Sequence, residues 1–184
     1  MKNKIEQNIL DFINKCSTEI GNQENDWANI RIWEICRSFI ESPIEQLLFC
    51  ALYTIRHLNG FAKVEPFDIG DKTFIDGLVI TPQYEIDNYR VDFLISNYSL
   101  TYKHKEQIKK EVIVECDSQQ FHDRTEKERR YEKLRDRYLQ SKGYKVFRFT
   151  GSEIVKNPLE VAKEIISFVT DVPISEIQTD NNWE

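Results

Sequence analysis

Long apolar runs, closely spaced cysteines and glycine-rich stretches are all missing from this 184-residue chain. No run approaches the roughly 20 apolar residues that cross a bilayer, so no membrane-spanning helix is expected. The four cysteines, Cys16, Cys36, Cys50 and Cys116, form no CxxC pair and no Cys/His cluster, which argues against a disulfide framework and against a zinc site. Six glycines and five prolines are too few for a collagen-like or low-complexity chain. The opening MKNKIEQN lacks the apolar core of a signal peptide, and a soluble, cytoplasmic protein without membrane contact is expected. Positive charge is also scarce: 25 Lys and Arg face 31 Asp and Glu, a net charge of −6 that by itself weighs against nonspecific coating of nucleic acid.

What is present suits a folded domain, with 40% hydrophobic and 12% aromatic residues. Apolar residues recur at helical spacing from Ile5 to Ile20 and again from Trp27 to Ile40. They predict two helices in an extension over residues 1–40, whose Trp27 and Trp33 serve either a core or a partner or dimer surface. Ser42-Pro43-Ile44-Glu45 reads as the start of a third helix, with Glu45 at the capping-box position. Its stripe of Ile44, Leu47, Leu48, Ala51, Leu52 and Ile55 runs to Asn59-Gly60. Short alternating runs follow between Phe74 and Ile95 and read as strands. The polar stretch 97–110 reads as an exposed loop or hairpin end, and Glu111 to Asp117 as a strand. A charged helix is expected over 124–141, then a strand over 144–149, a short helix from Gly151, another over 158–169, and a loose acidic tail from about residue 171.

Asp92 interrupts Val91 and Phe93-Leu94-Ile95, while Glu115 and Asp117 flank Cys116 at the end of Val112-Ile113-Val114. Residues i and i+2 of a strand face one side, so Glu115 and Asp117 project together and repel. A cation or a set of donors must neutralise them, and oxygen-only ligation points to Mg²⁺ or Mn²⁺. The competing reading pairs each carboxylate with an arginine or with solvent. His122 either works as a base or water-orienting group or caps the next helix. Phe121 to Arg148 holds ten basic and five acidic residues, a local +5. This is either a self-compensated solvated helix or a set of cations beside a metal centre.

Assembled in order, these pieces resemble the PD-(D/E)XK nuclease superfamily, in particular its DUF559-type branch related to very-short-patch-repair endonucleases. The resemblance rests on Ser42-Pro43-Ile44-Glu45 with its apolar helix, and on Gln83 to Ile86 followed by Tyr89-Arg90-Val91-Asp92-Phe93. It rests further on Val112 to Asp117 with Phe121-His122, and on Arg135-Asp136, Leu139, Gly143 to Ile154 and Asn157-Pro158. It implies an α/β, restriction-endonuclease-like core over residues 41–170, a central mixed sheet flanked by helices, between the helical extension and the tail 171–184. It also implies a Mg²⁺-dependent endonuclease hydrolysing DNA, the duplex form expected, in repair or in defence against foreign DNA. Asp92, Glu115 and the Cys116 carbonyl would hold the metal, with Asp117 contributing to a second ion. Glu45 would be an auxiliary acid, unless it closes the capping box. Where the usual motif has lysine this chain has Asp117, and the branch shares that feature. His122, Gln120 or Lys127 would take the lysine's part, and Arg124, Lys127, Arg130 and Lys133 would contact the backbone. A binding module that has lost catalysis, or an interaction protein acting through the extension, is the alternative.

Overall fold

An uninterrupted apolar run such as Val112-Ile113-Val114 can be a strand only if both of its faces are covered. In a computed structural model, which describes residues 11–12, 14–15, 40, 42–61, 67–69, 72–74, 77–101, 105–117 and 125–179, all three are fully buried. The elements are α1 (Pro43–Leu58), β1 (Phe67–Ile69), β2 (Lys72–Phe74), β3 (Gly77–Ile86), β4 (Tyr89–Thr101), β5 (Lys105–Asp117), α2 (Glu126–Ser141), β6 (Lys145–Thr150), α3 (Gly151–Lys156) and α4 (Pro158–Thr170). A single 3₁₀ turn, Ile174–Glu176, follows. Strands β3-β4-β5-β6 form one sheet, antiparallel across β3, β4 and β5 and parallel between β5 and β6. The parallel step needs a crossover, and α2 provides it.

Alternation along the strands divides the core in two. Phe93, Ile95, Val112, Val114 and Phe149 pack with α1 and α4, whose Leu48, Leu52, Ile55, Ala162, Ile165 and Ile166 are fully buried. Leu94 and Ile113 face the other way, onto Leu139 of α2. This is the mixed sheet between helices that the resemblance implies. Among the described residues no helix is long and apolar enough to cross a membrane.

Several expectations are corrected. The stretch 97–110 is largely strand: β4 and β5 pair as far as Thr101 opposite Lys105, with a register shift at Asn97/Tyr98 that the polar composition conceals. Backbone pairing there needs no apolar side chains. The tail is anchored as far as Gln178, because Ile177 is 4% exposed in the core and Asn59 exchanges hydrogen bonds with the Gln178 backbone. Ser42 makes no side-chain cap bond, so its capping box does not form. Capping boxes do form at Thr125/Glu128 and Thr150/Glu153, starting α2 and α3. Of the expected N-terminal helices, residues 11, 12, 14 and 15 are helical, with Phe12 against the main core. Trp27 and Trp33 lie outside the described residues.

Candidate active site

Register brings the acidic residues together. Strand β4 pairs with β5 up to Phe93 opposite Val114. Beyond that point the Asp92 side chain takes the next amide, its Oδ2 accepting the Cys116 N–H at 2.7 Å. Asp92 precedes Leu94 by two residues and Glu115 follows Ile113 by two, so both carboxylates share the parity of the α2 side. Glu115 is 7% exposed. Burial and the charge of Asp92 raise its carboxyl to about 7, against the pull of Arg135 and Arg148. Asp92 is also raised, chiefly by burial, although the Cys116 amide and Arg135 act against it.

Arginines meet both acids of Glu115-Cys116-Asp117. Arg135 of α2 donates through Nη2 to Glu115 Oε1 at 2.5 Å and to the Arg90 carbonyl at 2.8 Å. Arg148, opposite Glu115 in the parallel ladder, donates to Asp117 Oδ1 at 3.2 Å and to Asp136 Oδ1 at 2.5 Å. The Cys116 thiol is pushed far up by burial and then by Asp92, Glu45, Glu115 and Asp117, so it stays protonated and is no nucleophile.

The same electrostatics places Glu45 within reach of this cluster. Its Oε2 accepts from Gln83 Nε2 at 2.7 Å instead of closing on Ser42. Gln83 has a left-handed φ of 51° and falls opposite Asp92, at the one position where β3–β4 pairing skips between Pro82/Phe93 and Tyr84/Val91. Lys127, Arg130 and Lys133 are exposed on α2. Gln120, His122 and Arg124 lie outside the described residues. An open cleft of about 640 Å³ is lined by Thr125, Lys127, Glu128, Tyr131, Glu132 and Arg135, ending on the arginine that touches Glu115.

A family model, REase_MTES_1575, matches residues 69–169, more than half of the chain, from the last residue of β1 into α4. The chain belongs to that family. REase_MTES_1575 is a restriction-endonuclease-like, PD-(D/E)XK family, which points to a nuclease. The match spans Asp92, Glu115, Asp117, α2 and Arg148, whereas Glu45 precedes it. No curated protein and no solved structure matches the chain significantly.

Restriction-endonuclease-like families generally use divalent metals. Among the described residues no three His, Cys, Asp or Glu side chains are grouped to hold an ion. A magnesium site does not require three, since Mg²⁺ keeps several waters and binds through one or two carboxylates plus substrate phosphate. Asp92 Oδ1 and Glu115 Oε2 take part in no hydrogen bond or ion pair among the described residues, and their mutual repulsion is what a cation would relieve. The donor set therefore fits a hard, oxygen-seeking ion.

Arg135, Arg148, Asp136 and Gln83 belong to the segments that carry the resemblance, but sequence alone assigns them no role at the site. Arg135 had a signal: it stands three and four residues before Tyr138 and Leu139, on the inner face of α2. Arg148 faces Glu115 only through the parallel ladder, and Gln83 reaches Glu45 across 38 residues, so neither had a local one.

Proposed function

We propose that this REase_MTES_1575 chain is a Mg²⁺- or Mn²⁺-dependent endonuclease that hydrolyses phosphodiester bonds in DNA, of the kind used in repair or in defence against foreign DNA. The observation that carries the reading is the buried, mutually repelling pair Asp92 and Glu115 on neighbouring strands, beside a helix of exposed cations. Asp92 and Glu115, with the Cys116 carbonyl, would hold the metal. Bound there, the metal supplies Lewis-acid stabilisation of the phosphate and an acidified water.

The chain's own residues do the rest. The Cys116 amide orients Asp92, Arg148 neutralises Asp117, the residue at the motif-lysine position, and Glu45 adds negative charge from α1, braced by Gln83. On the sequence reading His122 would orient or deprotonate the attacking water, and Gln120 is the second candidate for the motif lysine's part. Lys127, Arg129, Arg130, Lys133 and Arg137 project from α2 with no ion pair among the described residues, which favours phosphate contacts over a self-compensated helix. The Asp117 at the lysine position is in keeping with the DUF559-type branch.

Purified protein incubated with supercoiled, linear and single-stranded DNA in Mg²⁺ or Mn²⁺ tests the reading. Cutting is expected, and cutting undiminished by Asp92→Ala and Glu115→Ala would sink the assignment. The two arginine pairs, Arg135 to Glu115 and Arg148 to Asp117, favour a second reading, a nucleic-acid-binding module that has lost catalysis. Isothermal titration with Mn²⁺ separates them, because a binding-only remnant takes up no ion at Glu115.

A further inference from the structure

Helix α2 turns to solvent a face on which cations and large apolar groups are interleaved. Lys127, Arg130, Tyr131 and Leu134 stand at i, i+3, i+4 and i+7 and so line one side. Tyr131 is 55% exposed and Leu134 47%, and neither belongs to a core cluster. The tyrosine is nevertheless braced. Its ring lies 6.0 Å from Tyr89, whose ring lies 5.3 Å from Tyr138, a ladder of three aromatics that fixes its orientation at small entropic cost.

The cleft beside Tyr131 also contains Lys127 and leads to Arg135 and so to Glu115. Glu128, which shares the cleft, has its carboxylate turned back onto Thr125, accepting both the backbone N–H and the hydroxyl at the start of α2. Cations that make no ion pair among the described residues, on an exposed face, complement phosphates. An exposed ring among them adds nothing to a closed duplex, whose bases are stacked on one another, but gives an unstacked base a π-face to settle on.

We propose that Tyr131 is a stacking platform for an unpaired nucleobase next to the scissile phosphate, so that the nucleic acid is taken as a single strand or a locally melted one. This differs from the duplex substrate expected from sequence. It rests on the nuclease reading only for the place of the scissile phosphate.

Fluorescence anisotropy on the full chain in EDTA, where no cleavage intervenes, tests the proposal with a dye-labelled oligothymidine, a duplex of equal length and an abasic strand of equal length. The single strand is expected to bind more tightly than the duplex. Tyr131→Ala should weaken the single strand roughly 5- to 150-fold while leaving duplex and abasic strand nearly unchanged. Tyr131→Phe should bind like the parent. Tyr131→Leu, which keeps an apolar contact with Tyr89 without the π-face, should behave like the alanine variant.

Equal losses on all three probes, or no loss on any, would overturn the platform. So would light scattering showing a dimer that Tyr131→Ala converts to monomer, since the face would then be a protein interface. Ring-dependent binding in a protein that makes no cuts in Mn²⁺ would overturn the nuclease reading and leave the platform standing.

Discussion

One guanidinium nitrogen, Nη2 of Arg135, bridges Glu115 Oε1 at 2.5 Å and the Arg90 carbonyl at 2.8 Å, tying α2 to two neighbouring strands at the acidic cluster. The two charged side chains are 13% and 9% exposed, so solvent screens the pair little. Arg135→Gln leaves a buried carboxylate facing Asp92 and should lower stability by about 3 kcal/mol in urea denaturation at pH 8. On the reading of Glu115 as a metal ligand, the same change removes a competing cation. Mn²⁺ binding measured by calorimetry should then become tighter even as the metal-free fold weakens.

Glu115 makes the metal-free protein pH-dependent in an unusual sense. Its carboxyl titrates near 7 in the folded chain against 4.5 unfolded, so between these values the folded state holds the extra proton. Its stabilising contribution is therefore complete below about 4.5 and is lost as pH rises through about 7. Asp92, also raised, acts with the same sign. The urea midpoint in EDTA should fall from pH 5 to pH 8, and Glu115→Gln should flatten that fall.

Asp92→Asn separates architecture from charge. The asparagine oxygen can still accept the Cys116 N–H that Asp92 Oδ2 accepts at 2.7 Å, while repulsion with Glu115 disappears. Thermal unfolding should show a melting point equal to or above the parent's. Cleavage in Mg²⁺ should drop at least 100-fold, about 2.7 kcal/mol of transition-state stabilisation. A folded variant with parental cleavage would remove Asp92 from the proposed metal site.

The exposed cations of α2 should appear as a salt dependence. If Lys127 and Arg130 each contact a phosphate, the double alanine variant should reduce the slope of log K against log salt by about 1.5. Anisotropy titrations at several salt concentrations in EDTA measure it. An unchanged slope would mean that these side chains are merely solvated.

What the amino-acid sequence determined by itself was everything set by short-range periodicity. The run Val112-Ile113-Val114 requires a doubly covered strand, the spacing of Glu115 and Asp117 requires a shared side, and the stripe from Leu47 to Ile55 requires a buried helix. Tertiary structure alone decided which groups meet. Asp92 finds the Cys116 amide 24 residues away, Arg135 finds Glu115 at 20, Arg148 finds Asp117 at 31 and Gln83 finds Glu45 at 38. The spacing allows each carboxylate a cation or an arginine, and it does not specify which arginine. The polar strands over 97–110 and the anchored Ile177 have no local signal for a related reason. Backbone pairing and one docking side chain leave no periodic signature, because the partner that satisfies them lies elsewhere in the chain and is reached only through sheet register.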